Sequence, residues 1–371
     1  MILKNKKKIR IMIGTLNVGG TEKQLFKIVN SLAKKNWKIR IITLKEFGTL
    51  SRYLNKKIKI ESLQLKSNFK IILLFQCIYN LYKIFKEDPH TLTHFFLPQS
   101  YIVGMFASIL AQAKCKMIMS RRSLNLYQKK FFFIKPIEKL LHKKVDKILV
   151  NSIAIKKQLI NEEGAEEDKI KVIYNGINIK KHSRVTNQKR FNIVIIANLI
   201  PYKCHTTLLK SLNLIKNKLP INWKLYCIGR NDGIKKNLLK MAQKFDIKNN
   251  IKWIDKYIDV PKTLSKNCDL GVLCSEEEGL PNAIIEYFAA KLPVVSTNVG
   301  GCRELVSNKK NGLLVPRYNF EKLSKAILFI SENRNIGKKY GLQGHELIKT
   351  KFQLKKTIFE HEKEYLKCLR S

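Results

Sequence analysis

Acidic residues are scarce. The 371 residues include 28 Asp and Glu against 72 Lys and Arg, a formal net charge of +44. A chain so basic is drawn to polyanions: nucleic acid, an anionic leaflet or a phosphorylated lipid. Lys, Ile and Asn are abundant throughout, so a compositional origin with solvated lysines fits the same count. Residues 1–190 hold 40 of the basic and 12 of the acidic residues, a net +28, which leaves +16 for residues 191–371. No basic helix has base-reading spacing, and no RNA-binding aromatic signature or Cys/His finger occurs, which disfavours a specific nucleic-acid reader. The eight cysteines (residues 77, 115, 204, 227, 268, 274, 302 and 368) form no Cys-x-x-Cys pair and no metal-ligand spacing. Several lie in apolar runs, as small buried hydrophobes in a reducing cytosol do. With no Asp-x-Asp motif either, no obligatory metal is expected. The absence of a Gly-x-Ser-x-Gly elbow and of a Walker loop sets aside serine-hydrolase and P-loop chemistry. No window holds 18 uninterrupted apolar residues; 71–85 and 101–113 come nearest, and polar groups break both. A membrane-spanning helix is not expected, though the chain can lie on a membrane. Residues 4–10 are basic like a signal-peptide start, but the short apolar stretch after them runs into Asn17-Val18-Gly19-Gly20, as a first strand would.

The length has room for about two domains, and 45% hydrophobic with 9% aromatic residues describes a globular chain. Strand-like and helix-like segments alternate. Strands are expected near 9–13, 39–44, 92–96, 117–120, 147–151 and 170–174, with helices near 22–33, 71–86, 99–111, 134–143 and 153–162. Asn175-Gly176 is a turn signal, and the polar stretch 178–190 reads as a linker. The pattern restarts with strands near 193–197, 223–228, 251–253, 270–274 and 294–296. Its helices are expected near 206–215, 234–245, 260–265, 283–290 and 320–332, with one or two more over 345–369. Such alternation means parallel sheets with helices on both faces. The expected class is α/β, with two Rossmann-like doubly wound parallel-sheet domains facing across a cleft. Expected boundaries are 1–176, a linker at 177–191, 192–345, and terminal helices at 346–371 packing back on the first domain. Ligands of such sheets bind at the carboxyl ends of the strands.

The segment Ser275-Glu276-Glu277-Glu278-Gly279-Leu280-Pro281-Asn282 carries the most chemistry. An apolar run feeds a Glu-Gly-x-Pro turn, and a helical pattern then sets Glu286 eight positions after Glu278. A Gly-containing loop that opens a helix is a ready anion site, because the first helical N–H groups lack partners. Carboxylates repel phosphate but accept hydrogen bonds from hydroxyls. A pocket with both suits a nucleotide sugar. The same residues also fit a Glu278 that caps a helix dipole and a solvated Glu286. Gly19 and Gly20 let the backbone approach a phosphate or sugar, or simply make a tight strand-to-helix turn. The loop is not Gly-x-Gly-x-x-Gly, and no acid follows about 20 residues on, so a nicotinamide dinucleotide is disfavoured. Ala197-Asn198-Leu199-Ile200-Pro201-Tyr202-Lys203 ends a strand and sets Lys203 before a helix, where its charge suits a diphosphate. Gly300-Gly301, with Arg303 and Glu304 next, is another glycine loop. His94 ends a strand beside Phe95 and Phe96, a place open to a structural or a catalytic role.

In this order the motifs resemble the retaining glycosyltransferases of family 4, the glycosyl transferases group 1, over nearly the whole chain. Gly19-Gly20-Thr21-Glu22 is similar to the family's Gly-Gly-x-Glu loop. Val150-Asn151-Ser152, and then Val172 to Asn178, resemble its passage into the linker. Ala197 to Lys203 is similar to its Arg-x4-Lys segment, and Glu278 with Glu286 to its Glu-x7-Glu motif. Pro293-Val294-Val295 and Gly300-Gly301-x-x-Glu304 follow in the usual order. The resemblance implies a GT-B fold and retaining transfer of a hexosyl or N-acetylhexosaminyl group. The donor would be a nucleotide-diphosphate sugar, UDP ahead of GDP. The acceptor would be a hydroxyl of a lipid-linked glycan or polysaccharide precursor, in bacterial lipopolysaccharide or capsule synthesis.

The resemblance also implies roles. Glu278 hydrogen-bonds a donor-sugar hydroxyl. Gly279, Leu280, Pro281 and Asn282 hold sugar and phosphate along the backbone, and Glu286 binds the ribose hydroxyls. Lys203 neutralises the leaving diphosphate, helped by Gly19 and Gly20 from the facing domain. His94 stands where the family has an active-site histidine. Asn198 replaces the family Arg, so one fixed positive charge is missing, and Arg303 or a lysine is the expected substitute. Lys291 stands where the family usually has Gly. No cofactor or metal is implied as obligatory. Partners would be the nucleotide sugar, the acceptor and an anionic membrane surface met through 71–86 and 127–135, with no specific nucleic acid. The place would be cytoplasmic, peripheral on the inner face of the cytoplasmic membrane. Alternatives are a nucleotide-sugar epimerase of the same fold, a basic nucleic-acid or membrane-binding protein without catalysis, and a degenerate relative.

Overall fold

The computed structural model describes residues 7–65, 69–179, 190–255, 264 and 268–370. The chain forms two units: Met1–Gly176 with Lys355–Ser371, and Ile177–Leu354. The first unit contains β1 (Lys8–Ile13), β2 (Lys38–Thr43), β3 (Lys59–Ser62), β4 (Leu92–Phe96), β5 (Met117–Arg121), β6 (Lys147–Val150) and β7 (Ile170–Val172). They form one sheet in the order β3-β2-β1-β4-β5-β6-β7. The second unit contains β8 (Asn192–Ile196), β9 (Lys224–Ile228), β10 (Ile251–Ile254), β11 (Leu270–Leu273), β12 (Val294–Thr297) and β13 (Gly312–Val315), in the order β10-β9-β8-β11-β12-β13. Every paired strand is parallel. Each unit therefore has the doubly wound architecture that the alternation predicts. The inner strands are largely apolar because both faces are covered: Ile9, Ile11, Met12 and Ile13 of β1 are fully buried.

Two strands and the start of one long helix are among the elements that escape the sequence pattern. β3 and β13 are edge strands of four residues, too short to show a period. The helix Arg334–Lys351 starts well before the expected 345. Its packing face is made of glycines: a Cβ on Gly341 would lie 2.1 Å from Lys291 O, and one on Gly344 would lie 2.1 Å from the Phe288 ring. Lys291 itself takes φ +60°, a left-handed position that glycine suits better. The expected helix at 260–265 and most of the linker fall outside the described residues.

The chain passes between the units twice. At these passages Ile177 N–H donates to Phe352 O at 3.0 Å and Leu354 N–H donates to Ile177 O at 3.1 Å. The second passage lies at Leu354–Lys355 rather than near 345, because Arg334–Lys351 packs on the helix Asn282–Ala289 of the second unit. The last helix, Leu354–Arg370, packs on the first unit. Thr357 Oγ1 donates to Tyr174 O at 2.9 Å. The Glu362 carboxylate accepts from Trp37 Nε1 at 3.1 Å and pairs with Lys35.

His94, His205 and His361 are among the buried imidazoles. Burial pulls each below its ordinary range, His205 to about 4 and His361 to about 3, and neighbouring Lys203 and Arg122 add to the effect. They are neutral in the fold, yet protonate in the unfolded chain below pH 6.5. The unfolded state then binds more protons, so stability falls as pH drops from 6.5 toward 4, by about 1.4 kcal/mol per pH unit for each histidine. Urea unfolding followed between about pH 7 and 5 should show this loss, and His361→Phe should reduce its slope by about one proton. A slope unchanged in that variant would contradict the assignment.

Candidate active site

The second sheet reverses its strand order between β8 and β11. Loops leaving two such strands diverge and open a crevice at their carboxyl ends. Lys203 follows β8, and Glu278 follows β11. The two loops are laced together: Glu276 N–H donates to Tyr202 O at 2.8 Å, and Cys274 Sγ–H donates to Cys204 O at 3.1 Å. Thr297 Oγ1, at the end of β12, donates to Ser275 O at 2.7 Å. The glycine loop after β12 closes on the same segment. Gly301 N–H donates to Glu278 O at 3.3 Å, and a Cβ on Gly301 would lie 2.0 Å from Gly279 O. The helix Asn282–Ala289 then begins after Pro281 with no side-chain cap. Tyr287, buried beneath it, ties β8 to β11: its hydroxyl accepts from Ile196 N–H at 2.7 Å and donates to Val272 O at 3.1 Å. Gly271 leaves room for that ring, since a Cβ there would lie 2.4 Å from it.

Lys203 Nζ donates to Glu278 Oε1 at 2.6 Å, and the side chains are only 16% and 11% exposed. Ser275 Oγ donates to the same carboxylate oxygen at 2.7 Å. The Lys203 ammonium lies 4.9 Å from the Tyr202 ring centre. Burial disfavours its charge, but Glu278 and Tyr202 outweigh burial, so Lys203 titrates above an ordinary lysine and stays charged. An ammonium has three donors and a carboxylate about four acceptor sites, so each can serve a further partner. Beside an uncapped helix start, the pair can stabilise negative charge on a phosphate while accepting hydrogen bonds from hydroxyls.

The other expected donor residues lie around this pair. Gly279, Leu280 and Pro281 are buried, and Asn282 and Glu286 are half-buried on the helix that follows. Asn198 Oδ1 accepts from Arg230 N–H at 3.3 Å, and Leu199 N–H donates to Arg230 O at 2.9 Å. Arg230 follows β9 and pairs with Asp232 at 2.6 Å. Arg303, one of the expected substitutes, is exposed and held by Asn298 Oδ1 at 2.6 Å. Arg230 is thus the cation whose backbone is bound to Asn198. Gly229 packs so close that a Cβ would lie 2.1 Å from Ala197 O. Among the described residues, no three His, Cys, Asp or Glu side chains converge as a metal site requires.

Gly19, Gly20 and His94 belong to the first unit, whose sheet reverses between β1 and β4. Gly19 caps the helix Gly20–Lys34 with ordinary extended backbone. A Cβ there would meet only the carboxylate end of the Glu22 side chain, 2.2 Å from Oε2, which can swing aside. His94 has a structural role in the first unit. It is fully buried, and both ring nitrogens are hydrogen-bonded, Nδ1 with Tyr365 OH at 2.7 Å and Nε2 with Ser120 Oγ at 2.8 Å. Burial first, with the charge of Arg122 adding to it, holds it far below its ordinary range. His94 thereby ties the last helix to β4 and β5.

Two family models match the chain in succession: Glycosyltransferase Family 4 over residues 18–181 and Glycosyl transferases group 1 over residues 177–346. The capsular polysaccharide biosynthesis glycosyltransferase CapM of Staphylococcus aureus is 24% identical over 349 residues, 87% of this chain and 88% of that one. The UDP-Gal:alpha-D-GlcNAc-diphosphoundecaprenol alpha-1,3-galactosyltransferase of Escherichia coli is 25% identical, over 78% of this chain and 79% of its own length. The crystal structure of Anabaena HepE in complex with UDP and glucose superposes with a TM-score of 0.84 at 19% identity, covering 97% of this chain and 99% of that one. That likeness concerns the fold alone. Successive matches to both halves, on two parallel-sheet units of this kind, establish that the chain belongs to the family 4 glycosyltransferases and is a glycosyltransferase of the GT-B fold.

Proposed function

We propose that the chain moves a hexosyl or N-acetylhexosaminyl group, with retention, from a UDP-sugar to a hydroxyl of a lipid-linked glycan in bacterial surface-polysaccharide synthesis. The reading is carried by the Lys203–Glu278 pair, 2.6 Å apart where the second sheet reverses. The bond from the anomeric carbon to the β-phosphate oxygen breaks, and its electron pair leaves on UDP. The acceptor oxygen bonds the same face of that carbon, and its proton departs with the diphosphate. Lys203 and the start of the helix Asn282–Ala289 stabilise the charge that develops on the leaving group. Glu278 accepts from a donor-sugar hydroxyl, and Glu286 accepts from the ribose. A relative named for UDP-galactose and a diphosphoundecaprenol acceptor, and a similar fold crystallised with UDP, support this choice of substrates.

A membrane surface fits the first unit. The helices Lys70–Glu87, Pro98–Leu110 and Ile134–Lys144 pack in sequence. Their layer exposes Phe75 and Leu140, and Phe132 just before the third helix is 86% exposed. Exposed Lys83, Lys86, Lys139, Lys143 and Lys144 stand among them. Apolar and basic side chains so mixed suit peripheral docking on an anionic leaflet, here the cytoplasmic face of the membrane. Among the described residues, no helix is long and apolar enough to cross it.

Thermal unfolding with UDP, GDP and NAD tests the donor. A ligand at 100 times its Kd adds about 2.7 kcal/mol, a shift of several degrees. UDP should raise the midpoint, NAD should not, and Glu286→Ala should weaken the UDP shift. An equal shift with NAD, or none with any nucleotide, would overturn the donor assignment. In steady-state transfer, Lys203→Ala should lose about 10²-fold or more in kcat while its far-ultraviolet dichroism stays unchanged. Turnover like the wild type's would remove Lys203 from the mechanism.

A further inference from the structure

Helix Lys70–Glu87 is firmly held at one end and thinly packed at the other. Arg10, buried on β1, donates to Asp88 O at 2.7 Å and Ile84 O at 3.3 Å, which satisfies carbonyls at the helix C-terminus. The buried stripe is narrow and lies toward that end: Cys77, Leu81 and Phe85. The N-terminal half borders a cavity of about 960 Å³. Leu44, Leu65, Leu73, Leu74 and Val103 form its apolar walls. Its charged lining side chains, Lys45, Glu46 and Lys70, are all exposed. Glu46 accepts from Asn17 Nδ2 at 2.6 Å, and two lysines against one glutamate leave that side net positive.

The cavity lies at the carboxyl edge of the first sheet. Leu44 directly follows β2, Lys45 N–H donates to Gly14 O at 3.0 Å, and Leu16 N–H donates to Phe47 O at 3.1 Å. It therefore adjoins the loop that leads to Gly19. Around it, Ile71, Ile72 and Phe75 of the same helix are exposed. A volume at the upper end of the range for ligand pockets, with apolar walls and a basic outer side, matches an amphiphile with a long chain and an anionic head.

We propose that this cavity holds the hydrocarbon chain of a lipid-phosphate acceptor, with Lys45 and Lys70 against its phosphate. The proposal rests on the transferase reading and gives its acceptor a site. The exposed apolar end of the helix supplies the path from a leaflet into the cavity. A second copy of the chain is a poor occupant, because its own net charge of +44 would repel.

Titration calorimetry on the full chain tests this with farnesyl phosphate, kept below its micelle concentration, and with inorganic phosphate. Farnesyl phosphate should saturate one site, and inorganic phosphate should give no measurable heat over the same range. Leu73→Trp, which fills the cavity, should weaken farnesyl phosphate by about tenfold or more. Leu74→Glu, on the exposed part of the wall, should act in the same direction and serves if the larger side chain impairs folding. Phe75→Ser, outside the cavity, should bind within about twofold of wild type. Undiminished binding in the two wall variants would overturn the proposal, as would an equal loss in Phe75→Ser, which would put the chain on the outer helix face. Wild type that shifts with UDP but ignores farnesyl phosphate rejects the cavity assignment alone. Wild type that ignores UDP but binds farnesyl phosphate rejects the UDP-donor reading and keeps the cavity assignment.

Discussion

The ion pair of Lys203 and Glu278 joins the two strand ends where the second sheet reverses direction. Parallel strands bring all their carboxyl ends to one edge, and reversal of strand order opens a gap there. Any polar chemistry in that gap needs groups from both sides. Here a cation comes from one loop and a carboxylate from the other. Ser275 fixes the carboxylate, and Cys274 and Glu276 fix the lysine's turn. The pair is mostly sheltered but not sealed, so its charges stay strong without the full desolvation cost of a deep ion pair.

Glycine lets the loops come this close. Gly301 abuts Gly279, Gly229 abuts Ala197, and Gly271 admits the Tyr287 ring that binds β8 to β11. In each case a Cβ would overlap a neighbour at less than 2.5 Å. The same economy of space operates along Arg334–Lys351, where Gly341 and Gly344 seat the helix on Lys291 and Phe288. The first unit uses buried polar groups instead: His94, Ser120 and Tyr365 hold the last helix on β4 and β5.

Much of the fold was legible because central parallel strands are apolar runs and the helices between them keep a clear period. Leu92–Phe96 and Phe320–Glu332 coincide with their expected bounds. β3 and β13 were hidden by shortness, and the start of Arg334–Lys351 was hidden by glycines that carry no hydropathy signal. At the site, Lys203 and Glu278 were legible as residues that follow strands. Arg230 and Ser275 were not, because their roles depend on loops that meet only in three dimensions. The structural contacts of His94 were not legible, because a strand-end position does not say which way a side chain points. Its partner Tyr365 is 271 residues away, beyond the reach of any local pattern.

The central claim is that Lys203 serves the diphosphate while Glu278 serves the sugar. UDP carries the diphosphate without the sugar, so calorimetric titration of UDP into Lys203→Ala and Glu278→Ala separates the two roles. The account predicts that Lys203→Ala weakens UDP by more than about tenfold, while Glu278→Ala binds it within about threefold of wild type. Equal losses in both variants, or none in Lys203→Ala, would contradict it and reduce the pair to a structural clasp between two loops.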